Sequence, residues 1–186
     1  MRMDRRTILL TAGASLATQA ALGQTKALRE MQIYEVPELG LSIWVENQPP
    51  WEAELSSATG HPSFVVQSPD NYHPPTVLTY ASWPKERVTD INPVAQTAIA
   101  RASQNFGLNA SQARSVTKLP VSHGVLQGLE GSFTGQVEGV AMDVRVFVGQ
   151  APGRFPVALS IYTLMGKMGN LTDVVRRSWG KLAYLP

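Results

Sequence analysis

The sequence predicts an α+β fold: a mostly antiparallel β-sheet of about six strands packed with two main helices. Three observations carry this. Val140, Met142, Val144, Val146 and Val148 alternate with Ala141, Asp143, Arg145 and Phe147, the period-two pattern of a strand. Only Gln150-Ala151-Pro152-Gly153-Arg154 separates that segment from the next strand-like run at 155–164, too short a link for a parallel crossover. Two segments shift to a helical period, one opening at Asn92-Pro93 and one following Asn170.

The elements follow in order. Residues 32–36 and 41–45 flank Pro37-Glu38-Leu39-Gly40, a turn with Pro early and Gly late. Leu41, Ile43 and Val45 take one face of the second arm, and Trp44 takes the other. Gln48-Pro49-Pro50 stops it, and 51–56, 63–67 and 76–83 are further strand candidates. In the first helix Asn92 is the expected N-cap and Pro93 the first helical residue. Val94, Ala98, Ile99, Ala102 and Phe106 mark its buried side, and Gly107 its left-handed stop. Its alanines make that side shallow enough to lie close to a sheet. Segments 125–133, 139–149 and 155–164 form a meander whose alternation implies cover mainly on one side. The last helix is capped by Asn170. It buries Leu171, Val174, Val175, Trp179 and Leu182 and turns Asp173, Arg176, Arg177 and Lys181 to water.

Two stretches carry a family likeness. One is Leu39-Gly40-Leu41-Ser42-Ile43 followed by Pro50-Trp51; the other is Leu171-Thr172-Asp173-Val174-Val175-Arg176-Arg177-Ser178-Trp179. With the helix at 93–106 and the meander between them, they resemble the Mog1p/PsbP-like superfamily. The spacer before Trp51 lacks the Gly of the commoner form. The resemblance implies an α+β sandwich that binds or assembles with other proteins, as photosystem accessory subunits, transport-factor binders, periplasmic lipoproteins and secretion chaperones do.

Of 186 residues, 44% are hydrophobic and 16% charged, which excludes a disordered polyelectrolyte. The absence of cysteine excludes disulfides, thiolate metal sites and a cysteine nucleophile. The formal net charge is +2, and the first 23 residues carry all of it; the remainder holds 13 basic and 13 acidic residues. A nucleic-acid partner, which demands a basic excess, is therefore not expected. Residues 1–23 read as a signal peptide. Arg5 and Arg6 form its charged start, and a mildly apolar stretch, too short and polar for a stable membrane span, runs from Ile8 to Ala21. Cleavage is expected after Ala20 or Gly23. The arginine pair before Thr7-Ile8-Leu9-Leu10 resembles the twin-arginine export motif, and a general secretory signal with adjacent arginines is the alternative. Residues 24–30 form a short linker, and 31–186 a single α+β domain. The expected location is periplasmic or secreted, and the expected contacts are the export machinery and another envelope or secreted protein.

Catalytic chemistry finds little support. Ser132 in Gly131-Ser132-Phe133-Thr134-Gly135 lacks nucleophile-elbow spacing. Glu130 and Glu138 could suggest a glycosidase pair, but each is better read as facing solvent or an Arg on the neighbouring strand, such as Arg145. No cofactor and no metal site are expected. Trp44, Trp51 and Tyr72 are the candidate partner surface, because Trp and Tyr dominate binding hot spots. The alternative is a small-ligand or metal-binding protein, or an enzyme, using a loop cleft near His61, Asp70 and His73.

Overall fold

A computed structural model describes residues 30–57 and 61–186. The segment read as a signal peptide, with Arg5 and Arg6, lies outside the described residues. The architecture is α+β, and every strand pairing is antiparallel. Among the described residues there are ten strands in two sheets, where the sequence predicts about six in one. The small sheet joins β1 (Met31–Val36), β2 (Leu41–Glu46) and β10 (Ala183–Tyr184) in the order β1-β2-β10. The large sheet holds β3 (Glu52–Ser56), β4 (Ser63–Gln67), β5 (Thr76–Ser82), β6 (Lys118–His123), β7 (Leu126–Val137), β8 (Val140–Gln150) and β9 (Val157–Leu164). Its order is β3-β4-β5-β9-β8-β7-β6. Val137-Glu138-Gly139-Val140 closes the β7–β8 hairpin, with positive φ at Glu138 (51°) and Gly139 (82°), as a type I′ turn demands.

The described residues also form three α-helices: α1 (Ile91–Asn105), α2 (Ala110–Ser115) and α3 (Thr172–Ser178). Helix α1 starts earlier than the Asn92-Pro93 signal suggests. Asp90 is its N-cap, and the carboxylate accepts from the Asn92 amide at 3.0 Å. Pro93 still falls in the first turn, where a missing N–H costs nothing. The buried side is Ala95, Ile99 and Ser103, one step round from the expected stripe, with Ala98, Ala102 and Phe106 at its flank. Helix α3 also departs from expectation. Asn170 does not cap it; a 3-10 turn, Met168–Leu171, leads in, and Asp143 accepts from the Gly166 amide at 2.8 Å.

The layers are α1, the large sheet, and then the small sheet with α3. Val144, Val146 and Val148 pack beneath α1, while Phe147, in the opposite phase, is fully buried in the core shared with the small sheet. The large sheet is thus covered on both faces at β8, against the one-sided cover that alternation implies. Asp143 and Arg145 stay out of the valine core, as their phase predicts, but Val140 is 48% exposed at the strand's end. Leu171, Val174, Val175, Trp179 and Leu182 are all buried in the main core, as their period predicts.

Helix α1 approaches the sheet closely because β7 presents glycines beneath it. A Cβ on Gly131 would lie 2.7 Å from Ile99 Cγ2 and 3.1 Å from Val116 Cγ1. Gly131→Ala is expected to cost about 1–3 kcal/mol through overpacking. Gly169→Ala, where an added Cβ meets nothing within 4 Å, should leave stability nearly unchanged. Urea midpoints compare the two; equal midpoints would show that the contact under α1 is loose.

Candidate functional site

Strand β2 sends Leu41, Ile43 and Val45 into the core, so Trp44 projects from the outer face of the small sheet. Its register partner on β1 is Ile33, which is 36% exposed. Directly paired residues share a face, so the part-buried indole lies beside an exposed aliphatic side chain, while Met31 and Glu46, next on that face, are buried. Lys181 places Nζ 4.6 Å from the Trp44 ring centroid, a cation–π contact at the patch border.

The other two aromatics of the expected surface do not join this patch. Trp51 is only 4% exposed and belongs to the main core. The turn at Asn47–Pro50 folds back, with the Trp51 amide donating to the Glu46 carbonyl at 3.3 Å, and this carries the ring inward. Tyr72 stacks edge-on against it, with centroids 4.9 Å apart, and is half-buried. Burial, and secondarily the nearby Glu46 carboxylate, push the Tyr72 phenol above its ordinary value.

Behind the patch the polar atoms are tightly engaged. Strand β10 pairs only with Ser42 and Leu41, so the rest of that β2 edge needs another partner. Ser178 of α3 supplies it: its hydroxyl donates to the Trp44 carbonyl at 2.5 Å and accepts from the buried Tyr80 hydroxyl at 2.5 Å. Burial raises the Tyr80 phenol strongly, so it remains a neutral donor. Arg177 corrects the expectation of a wholly solvated helix face. Its Nη2 lies 2.7 Å from Oε1 of Glu46, which is 7% exposed, and its Nη1 lies 3.9 Å from Glu30. Burial raises the Glu46 carboxyl, and Arg177 partly offsets this.

The structure does not bring His61, Asp70 and His73 into one cleft. His61 precedes β4 and Asp70 follows it, and a five-residue strand alone sets the two ends about 13 Å apart. Asp70 lines a depression of about 170 Å³ with Val77, Met142 and Tyr162, and neither histidine contributes to it. Among the described residues no group of three His, Cys, Asp or Glu side chains could hold a metal ion.

Sequence reasoning offers solvent or an Arg such as Arg145 as what Glu130 faces, and misses His123. Glu130 Oε2 lies 2.9 Å from His123 Nε2, and Oε1 lies 3.4 Å from Arg145 Nε. The imidazole also stands edge-on to Phe147 and Trp179, at 4.8 and 5.1 Å between centroids. Both carboxylate oxygens are engaged, so the group acts as a strut tying β6, β7 and β8 to the C-terminal segment. Glu138 sits at the far end of β7, about 25 Å along the strand, so the two carboxylates do not form a glycosidase pair.

No protein-family model matches the chain, and no curated protein matches it. Among solved structures it is similar to one from Bacteroides thetaiotaomicron, with TM-score 0.58 and 12% identity over 84% of this chain and 49% of that one. The chain thus spans about half the length of that protein. A Pseudomonas aeruginosa protein of unknown function, PA94, matches with TM-score 0.47 and 10% identity over 84% of this chain and 99% of its own. LpqN, involved in cell envelope biogenesis of Mycobacterium tuberculosis, matches with TM-score 0.35 and 12% identity over 84% of this chain and 79% of its own. These two likenesses are too distant to argue from. The Bacteroides structure shows a shared α+β fold across most of the chain, and the fold by itself assigns no activity.

Proposed function

We propose that this chain is an exported, non-catalytic binding or accessory protein of the bacterial cell envelope, and that it contacts another protein through the face around Trp44. The observation that carries the contact is the pairing of Ile33, 36% exposed, with the part-buried Trp44 across β1 and β2. An indole beside an aliphatic side chain, bordered by Lys181, has the make-up of a hot spot with a polar rim. Trp51 and the half-buried Tyr72 stacked on it pack on the main core and are not part of the proposed contact. The leader with Arg5 and Arg6 supports export, and the resemblance to the Mog1p/PsbP-like superfamily supports a binding role. Among the described residues no helix is long and apolar enough to cross a membrane.

Trp44→Ala is expected to weaken the partner complex about tenfold or more, while changing folding stability by about 1–2 kcal/mol. Quantitative co-purification from envelope extract with wild type and variant measures this. A set of bound proteins unchanged in the variant would sink the assignment. Cell fractionation tests the leader. Arg5 and Arg6 changed together to Lys should stop export by the twin-arginine route, and continued export would point to general secretion.

A further inference from the structure

Among the described residues, helix α1 lies over β7 and β8 and reaches β9 where Phe106 meets Tyr162, with ring centroids 5.2 Å apart, and no helix covers the same face of β3, β4 and β5. On β5 and β9 the core-side residues are buried and their alternates, among them Val77, Thr79, Ser160 and Tyr162, are half-buried. Val65 continues the strip on β4, and Leu164, 37% exposed, ends it on β9. At the outer border this face carries Glu52 and Glu54, both exposed. The register places these two glutamates on the face opposite Ala53 and Leu55, which pack on the core. The residues that β3, β4, β5 and β9 turn to this side include no Lys or Arg. Asp70 adds a further acid at the rim of the depression that contains Val77 and Tyr162.

We propose that this strip is a docking site for a cationic amphipathic helix of a partner protein, independent of the Trp44 surface. Charge complementarity selects the occupant: a floor of Val65, Val77, Tyr162 and Leu164 around the hydrogen-bonded Thr79–Ser160 pair, bordered by two or three acids and by no Lys or Arg of these strands, suits a helix with one apolar face and Lys or Arg along its side. The width suits a helix as well. The midlines of β5–β9 and β8–β7 are two strand spacings apart, about 9.6 Å, which falls within the usual distance of about 8–10 Å between packed helices. A helix on the strip would therefore rest on the sheet and against α1 at once. A second copy of the chain is disfavoured, because a face-to-face pairing would set the acids of one copy against those of the other.

Fluorescence anisotropy with labelled synthetic peptides of about 18 residues, or five helical turns, tests this on the full chain. One peptide carries a Leu stripe flanked by Lys, a second the same stripe flanked by Glu, and a third scrambles the first. The Leu/Lys peptide should bind saturably and about tenfold or more tighter than either of the others at low salt. Glu52→Gln with Glu54→Gln should weaken it about fivefold. Val77→Lys should remove binding, and Val65→Lys serves if Val77→Lys fails to fold. Trp44→Ala should leave this binding unchanged, so the two surfaces fail separately. Equal affinity for the Leu/Glu peptide would overturn the proposal, as would wild-type affinity in a folded Val77→Lys or Val65→Lys variant. Tighter binding on Arg5→Ala with Arg6→Ala would make the chain's own leader the occupant and overturn the assignment to a partner.

Discussion

Trp179→Ala is expected to lower the unfolding free energy by about 3–5 kcal/mol, a large part of a total on the order of 5–15. The indole is fully buried, lies in the main core with Leu171, Val174 and Val175, and stands edge-on to His123. Its loss empties a cavity that the large sheet, α3 and the His123 strut all border, so little can collapse into it. Truncation before Leu171 should go further and give an insoluble product, because each buried aliphatic residue it removes contributes about 1.5–3 kcal/mol. Arg176→Ala is the control. That side chain is 74% exposed and its ion pair is with the similarly exposed Asp173, so its removal should cost about 0.5 kcal/mol or less. Urea unfolding of the variants decides; a Trp179→Ala midpoint close to wild type would mean the final helix is not part of the core.

Arg177→Ala should cost about 2 kcal/mol at neutral pH, and the cost should shrink in acid. Arg177 is the cation facing the buried Glu46, while Glu30 and Asp173 add like charge. Breaking such a pair costs about 3–5 kcal/mol when both partners are buried. Arg177 is 35% exposed, so water replaces part of what it gives and the expected figure is lower. The sign follows from the raised carboxyl. A group whose folded pKa exceeds its unfolded value stabilises the fold below the unfolded value, and this is lost as pH rises through the folded one. Without Arg177 the Glu46 pKa rises further. The variant's deficit should therefore be full near pH 7–8 and close as pH falls toward the ordinary carboxyl value of 4.5. Thermal unfolding across that range is the measurement, and a deficit independent of pH would show that Glu46 does not depend on Arg177.

The strands that were legible are those whose two faces meet different surroundings. β5 and β9 alternate buried and half-buried residues along their whole length, so their sequence shows the period plainly. β8 is legible in phase but not in cover: Phe147 alone carries the second buried face, and one residue does not make a pattern. β6 escaped because it is an edge strand with Pro120 inside it, a residue tolerated only where one side of the ladder needs no donor. α2 is six residues long, too short to show a helical period. Its readable signal was the capping box from Asn109 to Gln112, whose two reciprocal bonds are present.

The candidate site was half legible for similar reasons. The phase of β2 placed Trp44 outside, and the structure adds Ile33 beside it only through the register of β1. Trp51 could not be placed from sequence, because the direction in which the turn at Pro49-Pro50 sends the ring depends on the chain's return to Glu46. Arg177 belongs to a helix side that reads as solvated, and its buried acid sits on a strand distant in sequence. Helical periodicity carries no information about that partner.

The surface around Trp44 is tested most directly by cross-linking in cells. A photo-reactive amino acid in place of Ile33 sits across from the indole, and the same amino acid in place of Gln96, exposed on α1, serves as control. The account predicts a discrete adduct between the chain and an envelope protein from position 33, absent from position 96 and lost on Trp44→Ala. No adduct from position 33, or one that persists unchanged in the Trp44→Ala chain, would contradict it.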